Sequence, residues 1–210
     1  MDYGYPVILD LHDQPCVVIG GGPMAEEKIR ALLDAGARVT VIAPELTEGL
    51  ATLTWKNHFK WINRHYAQGD LDGAYLVIGA DMDRSRNNRI AKEATGKRVL
   101  LNCLDDPPNC RFIFPSIHRQ GDLVIALSTT GKCPALAVRI RQKLATEYGP
   151  EYAEFLRIAG AMRDRIADLL PDFNARRELW YRLVDSKAVA LIKAGRRQDA
   201  IDTLEAILRK

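Results

Sequence analysis

Cys16-Val17-Val18-Ile19 runs straight into Gly20-Gly21-Gly22, and Pro23-Met24-Ala25-Glu26-Glu27-Lys28 follows at once. Four apolar residues, a glycine cluster and an amphipathic stretch spell strand, tight turn and helix. Gly20, Gly22 and Ala25 stand at the spacing G-x-G-x-x-A. At that spacing the first glycine takes turn angles barred to other residues, and the second admits a ligand to the main chain. The third small residue lets the helix sit close on the strand. The helix N-terminus behind such a turn, here at Pro23 and Met24, offers unpaired N–H groups and partial positive charge to an anion. The chemistry implied is the gripping of a diphosphate, as in a dinucleotide. A glycine turn that merely permits close packing is the plainer alternative.

Other polar groups fall at predicted strand ends, where open parallel sheets gather ligands. The acidic residue expected to end the second strand is missing; Ile42-Ala43-Pro44 stands there, with Glu45 just beyond. The choice between NAD and NADP is therefore open, and the lack of Arg or Lys over residues 41–46 favours NAD. Gly79-Ala80-Asp81 ends a later strand and would let a ribose lie against the backbone. Asp81 reads equally as a helix cap, and Asn87 or Asn88 as a neighbour of the same crevice. Asn102-Cys103-Leu104-Asp105-Asp106-Pro107 is the next such end: a carboxylate there suits proton transfer while hydride leaves toward a cofactor, and also suits a plain turn. Ser128-Thr129-Thr130-Gly131-Lys132-Cys133-Pro134 leads into a helix and would form an anion pocket. Arg111 and Arg119 precede it, and Arg139, Arg141 and Lys143 follow. Guanidinium groups suit carboxylates, so a substrate rich in carboxylates fits, against a solvated helix face for each residue singly. His12, His58, His65 and His118 show no metal-ligand spacing, and each reads better as a surface or packed histidine. One of them binding metal stays open.

These groups need a scaffold. The 210 residues, 47% hydrophobic and 27% charged, suffice for one sizeable or two small globular units. A net charge of +3 without a basic run argues against nucleic acid. No stretch approaches the ~20 apolar residues of a membrane span. The opening Met1-Asp2-Tyr3-Gly4 lacks the plan of a signal peptide, and Cys16, Cys103, Cys110 and Cys133 read as buried reduced thiols. A cytoplasmic address is the expectation. Strands are predicted at residues 7–9, 16–19, 39–42, 60–63, 74–78 and 98–102. Helices are predicted at 24–35 (with Met24, Ile29, Leu32 and Leu33 facing one way and Gly36 as the cap), 45–54 and 83–94. Strand-helix alternation of this kind is the mark of a doubly wound sheet. After a Pro-rich break at 105–109, strands are expected at 111–115 and 123–128, joined over 119–122. Helices follow at 134–148, 151–170, 174–194 and 198–208. The fold class is α/β: an N-terminal Rossmann-type parallel sheet over 1–112, a small central strand-helix region over 113–150 and a helical C-terminal domain over 151–210.

Taken in order, five stretches resemble the precorrin-2 dehydrogenase family, which includes the N-terminal module of the sirohaem synthases. They are Val18-Ile19-Gly20-Gly21-Gly22-Pro23-Met24-Ala25, Ala35-Gly36-Ala37-Arg38-Val39-Thr40-Val41-Ile42-Ala43-Pro44, Asn102-Cys103-Leu104-Asp105-Asp106-Pro107, Phe112-Ile113-Phe114-Pro115-Ser116 and Ser128-Thr129-Thr130-Gly131-Lys132-Cys133-Pro134. The resemblance spans about residues 3–165. It implies NAD-dependent oxidation of precorrin-2 to sirohydrochlorin, insertion of Fe2+ or Co2+ in some members, a homodimer built on the central region, and an active site between subunits. By motif match the catalytic aspartate falls on Asp105. Cofactor contacts fall on Gly20, Gly22, Pro23, Met24, Ala25, Ala43, Pro44, Gly79, Ala80, Asp81 and Asn102. Substrate contacts fall on Ser128, Thr129, Thr130, Gly131, Arg111 and Arg139, and a carboxylate-rich ring gives these arginines a purpose. Thr129-Thr130 stands where a second serine is frequent, against regulation by phosphorylation. The sequence ends before any methyltransferase-like segment, so methylation of the precursor is expected elsewhere. Two rival readings remain: an NAD-binding redox sensor, and a chelatase without dehydrogenase activity.

Overall fold

The computed structural model describes residues 4–81 and 83–209; Met1, Asp2 and Tyr3, which carry part of the leader argument, lie outside them. The chain divides into two compact units, the first ending at Ile113 and the second beginning at Phe114.

In the first unit, β1 (Pro15–Ile19), α1 (Pro23–Asp34), β2 (Arg38–Ile42), α2 (Glu48–Trp55), β3 (Lys60–Ile62), β4 (Leu76–Gly79), α3 (Arg84–Lys97) and β5 (Leu100–Cys103) follow in turn, then a 3-10 turn at Pro107–Asn109. The strands run parallel in the order β3-β2-β1-β4-β5. Ile19 pairs with Ile42 on one side and Gly79 on the other, and Gly79 pairs with Cys103, so four carboxyl ends lie level. The winding reverses between β1 and β4, which opens a crevice above those ends.

Both faces of the sheet are covered, which is why β1 reads as an unbroken apolar run. Cys16, Val18, Val41 and Ile78 pack with Ile29 and Leu32 on one face. Val17, Ile19, Val77 and Leu101 pack with Ile90 and Ala94 on the other. Helix α1 buries Ala25, Ile29 and Leu32, at helical spacing. Met24 does not join that face; it is 45% exposed at the helix start. Gly36, at φ +75°, ends the helix as its position implies.

Glu93 is a buried carboxylate that ties α3 to the segment before β4. It accepts from the Tyr66 hydroxyl and from the N–H groups of Gly69 (3.1 Å) and Leu71 (3.3 Å). Burial first, and the Glu93 carboxylate second, push the Tyr66 hydroxyl well above its usual range.

The second unit holds β6 (Ser116–Gln120), β7 (Leu123–Leu127), α4 (Pro134–Glu147), α5 (Pro150–Ala161), α6 (Arg163–Leu169), α7 (Phe173–Val184), α8 (Ala188–Lys193) and α9 (Arg197–Leu208). β6 and β7 form an antiparallel hairpin turned by Gly121-Asp122 alone, with Gln120 opposite Leu123. Gly121 has φ +54°, the left-handed geometry a two-residue turn with leading glycine needs. The helical core gathers Phe155, Ile158, Ile166, Leu179, Leu183, Leu191 and Leu204. No helix of the described residues is long and apolar enough to cross a membrane.

Several local expectations fail, each for a visible reason. Residues 7–9 form no strand: Asp10 turns the chain by accepting from the His12 N–H, and Leu9 and Leu11 reach the core without pairing. Helix α3 runs through Gly96, because Arg98 takes the left-handed cap at φ 56° and the Val99 N–H returns to Ala94 O. The strand expected at 111–115 starts at Ser116; the N–H groups of Arg111 and Phe112 are instead drawn to Leu101 O. The helix expected over 151–170 is two, broken at Met162, whose side chain is buried in the core. That over 174–194 breaks between Val184 and Ala188, where Ser186 Oγ bonds Leu183 O. Cys133 is exposed, Cys110 half-buried, and only Cys16 and Cys103 are buried.

Glu93→Ala strands the buried Leu71 N–H, the half-buried Gly69 N–H and a buried hydroxyl, and should lower the unfolding free energy by about 2–4 kcal/mol. Tyr66→Phe should cost about 1 kcal/mol, and urea unfolding monitored by circular dichroism measures both.

Candidate cofactor site

The turn after β1 is a place where side chains cannot fit. Gly20 has φ +122°, and a Cβ there would stand 2.7 Å from Ala80 O. A Cβ on Gly21 would stand 2.0 Å from Glu45 O and 2.9 Å from Leu46. Main-chain bonds complete the clamp: Gly20 N–H to Ile42 O (2.9 Å), Ala80 N–H to Ile19 O (2.8 Å) and Thr47 N–H to Gly21 O (3.0 Å). Gly22 differs, since nothing lies within 4 Å of the Cβ position there. Gly22, Pro23 and Met24 are exposed, and Ala25 is fully buried under the helix.

Gly22 is the N-cap of α1 and has no side chain to cap with, while Pro23 at the first helical position has no N–H. By helix geometry the Met24 and Ala25 amides have no intrahelical acceptor. Room above Gly22, free amides and the helix dipole make this an anion cradle. Glu26, though in the first turn, does not spoil it. Its carboxylate is drawn to the Thr47 hydroxyl and to Arg30 (2.6 and 2.9 Å), which hold it below the usual carboxylate range. Thr47 also caps α2 through the Leu50 N–H, so one carboxylate joins α1 to the segment after β2.

That segment departs from the expected pattern as the sequence indicates. Ala43 is buried and its carbonyl accepts from Trp61 Nε1 (2.9 Å), while Pro44 and Glu45 are exposed.

At the end of β4, Gly79 is small for an internal reason: a Cβ there would meet Cys103 Sγ at 3.1 Å and Asn87 Oδ1 at 3.5 Å. Ala80 lends its backbone to the contact with Gly20. Asp81 is not the cap of α3. Asp83 is, accepting from the Ser85 and Arg86 N–H groups, and these bonds lower its pKa. Asp81 instead accepts from the Asp83 N–H (2.9 Å) and pairs with Arg86 Nε (2.8 Å). Asn87 is buried against Gly79, and its Oδ1 has no partner among the described residues; Asn88 accepts from Asn109 Nδ2.

The end of β5 is built around Cys110. Its thiol donates to Cys103 O (3.2 Å) and accepts from the Cys103 N–H (3.3 Å). Asn102 is buried; its Nδ2 donates to Phe112 O (2.9 Å), and its Oδ1 has no partner among the described residues. Asp106 is buried and accepts from Asn109 Nδ2 (2.8 Å). Asp105 is the reverse: exposed, and held in left-handed backbone at φ 57°. Burial pushes the Cys103 thiol up to about 12 and raises Cys110 too, so neither supplies a thiolate here.

An open cradle over Gly22 and an orphaned amide oxygen on Asn102, at the carboxyl ends of β1 and β5 in one unit, fit a dinucleotide laid across the crevice. Gly21 and the Glu26–Thr47 link were not among the residues singled out from sequence. Gly21 sits inside the glycine run, but only the fold brings Glu45 O onto it.

In the second unit, the loop before α4 uses its hydroxyls on itself. Ser128 Oγ accepts from the Thr130 N–H (3.0 Å) and Thr129 Oγ1 from the Cys133 N–H (3.2 Å), so the open anion pocket expected there is in part already filled. Thr130 and Gly131 have φ 53° and +81°. Arg139 is exposed and reaches Gln142 (3.4 Å); in the first unit Arg111 is exposed. No group of three His, Cys, Asp or Glu side chains among the described residues is placed to hold a metal ion.

The glycines should separate on mutation. Gly21→Ala should destabilise by about 1–3 kcal/mol through overpacking against Glu45 O. Gly22→Ala should cost no more than about 1 kcal/mol, as a poorer N-cap, yet lose about tenfold or more in dinucleotide affinity, because its methyl enters the cradle. Thermal melts beside titration calorimetry distinguish them.

Residues 7–116 match a family model described as NAD(P)-binding, and residues 151–208 match the sirohaem synthase dimerisation region. A sirohaem synthase of Photobacterium profundum is 36% identical over 95% of this chain and 42% of its own length. Siroheme synthase 1 of Serratia proteamaculans is 34% identical over 100% of this chain and 44% of its own length. The chain thus spans less than half of these relatives. A solved structure titled SirC, precorrin-2 dehydrogenase, shares the fold at TM-score 0.79, with 23% identity over 97% of this chain and all of that one. With residues 7–116 matched, the chain belongs to the NAD(P)-binding family which that model describes, and a sirohaem synthase dimerisation region follows in the same chain.

Proposed function

We propose that this protein oxidises precorrin-2 to sirohydrochlorin with NAD as hydride acceptor, within sirohaem synthesis. The observation that carries the reading is the uncapped, open start of α1 at Gly22, beside the point where the sheet's winding reverses. The names of the sirohaem synthase relatives and of the structural neighbour supply the substrate class.

On this reading the amides of Met24 and Ala25, above the open Gly22, hold the diphosphate, Ala43 and Pro44 line the adenosine end, and Gly79, Ala80 and Asp81 line the ribose beyond. Asn102, with its buried unpartnered Oδ1, would hold the nicotinamide end, and the nicotinamide ring, when bound, would supply the hydride acceptor. Asp105, turned outward with its carboxylate in solvent, receives the proton that leaves the macrocycle as conjugation extends. Arg111, Arg139 and the loop residues Ser128, Thr129, Thr130 and Gly131 are assigned to the substrate carboxylates. The division into 1–112, 113–150 and 151–210, a homodimer and a cytoplasmic setting belong to the same proposal.

Asp105→Asn is the variant to make, because asparagine tolerates left-handed backbone whereas alanine adds strain. It should keep the fold and NAD affinity and lower turnover by about 10²–10⁴-fold, the range for a lost general base. Reduced nicotinamide, followed by absorbance after mixing with precorrin-2 and NAD, gives the measurement. Unchanged turnover removes Asp105 from the reaction, and no NAD reduction by the parent protein removes the proposal.

A further inference from the structure

Asn87 is buried on α3, yet its amide oxygen has no partner among the described residues. We propose that this oxygen accepts from a hydroxyl of the ribose that carries the nicotinamide. The inference rests on the nicotinamide-cofactor reading above and adds a contact from the face of the sheet opposite Asn102.

The position is one where the fold itself calls for an apolar side chain. Asn87, Ile90 and Ala94 form one stripe of α3, and Ile90 and Ala94 pack there with Val77 and Leu101. Asn87 is only 3% exposed. Glu93, the other buried polar residue of this helix, shows what a structural role requires. Its carboxylate is met by the Tyr66 hydroxyl and by the N–H groups of Gly69 and Leu71. The other polar groups at the start of α3 are also engaged: Asp83 caps it, Arg86 pairs with Asp81, and Asn88 accepts from Asn109. An apolar residue at 87 would serve the core better, since a buried acceptor left unmet costs stability. A ligand that meets the oxygen accounts for the exception.

Gly79 sets where that oxygen stands. A Cβ on Gly79 would lie 3.5 Å from Asn87 Oδ1 and 3.1 Å from Cys103 Sγ, so the missing side chain leaves a notch between them. The notch is at the last residue of β4, level with Ile19 at the end of β1. The next residue, Ala80, touches Gly20 through its carbonyl and bonds Ile19 O through its N–H. A dinucleotide passing from the Gly22 cradle toward β5 crosses the end of β4 here, and its part between diphosphate and nicotinamide is a ribose. Asn102 pairs with Ile78, whose side chain lies in the core on the α1 face, whereas Cys103 lies in the core on the α3 face. The two orphaned amide oxygens therefore flank the crossing from opposite faces. A neutral hydroxyl also suits a neutral acceptor in an apolar setting, where a charge would be costly.

Calorimetric titration of the whole chain with ADP, ADP-ribose and NAD tests this, because the series adds the second ribose and then the nicotinamide. Asn87→Leu, Asn87→Ala and the control Asn88→Ala are compared with the parent. Both Asn87 variants should bind ADP within about twofold of the parent, and ADP-ribose and NAD about tenfold more weakly. Asn88→Ala should leave all three within about twofold. A loss shared equally by ADP marks a structural role and overturns the assignment. A loss confined to NAD, or no loss at all, overturns it too, and each of these results leaves the cofactor reading intact. Should Asn87→Leu fail to fold, Asn87→Ala carries the same comparison. Binding of none of the three ligands by the parent overturns the cofactor reading itself.

Discussion

The fit of Gly20 and Gly21 against their neighbours is the constraint on which the rest of the first unit depends. Three chain segments meet there with their main chains in contact: the turn itself, Ala80 after β4, and Glu45 after β2. No side chain fits between them, so the ends of β1, β2 and β4 are held level by backbone alone. That level edge fixes where α1 begins, and α1 begins with nothing capping it. An unpaired helix start is a cost to a bare fold, since exposed orphan amides are left to water. It becomes useful where an anion satisfies them.

The same economy governs charge around the crevice. Three arginines of this unit are bound to carboxylates of their own: Arg30 to Glu26, Arg64 to Asp70, and Arg86 to Asp81 and Asp83. The thiols at the end of β5 stay protonated through burial. Among the described residues, the groups left to act on a ligand include the main chain at the start of α1, two orphaned amide oxygens at Asn87 and Asn102, and the exposed carboxylates of Glu45 and Asp105. Among the described residues, the buried side-chain oxygens without a hydrogen-bond partner are those of Asn87 and Asn102, and in a low-dielectric crevice the pairing of the other buried groups limits misplaced field.

What could be read from the sequence follows from how local each feature is. The strand-turn-helix at Gly20-Gly21-Gly22 and the five parallel strands were legible, because period and glycine spacing are properties of neighbouring residues. Gly36 as a helix end was legible for the same reason. Register was not: whether β6 starts at residue 111 or 116 is decided by Leu101 O, on another strand, capturing two N–H groups. The helix breaks at Met162 and at residues 185–187 arise from packing, in segments whose apolar spacing reads as continuous helix. The cap of α3 went to Asp83 rather than Asp81 through a difference of two residues, finer than composition can resolve. Glu26 reads as an ordinary first-turn acid, and nothing local shows that Thr47 will receive it.

The paired carboxylates before Pro107 show how the fold divides labour that the sequence leaves ambiguous. Asp105 and Asp106 are chemically equivalent and adjacent, and Asp-Asp-Pro-Pro suits a simple turn. The structure makes them unlike. Cys110 binds both ends of the Cys103 peptide, Asn102 holds Phe112, and Asn109 holds the buried Asp106. These bonds close the loop on both sides of Asp105, whose backbone is left-handed at φ 57°. A non-glycine residue in that conformation costs about 1 kcal/mol and persists only where its surroundings enforce it. Asp106 thus serves as the anchor of the loop and Asp105 as the group it presents. On the proposed reading, it is this carboxylate, left in solvent on a left-handed backbone and free of any duty in the loop's bonding, that takes the proton.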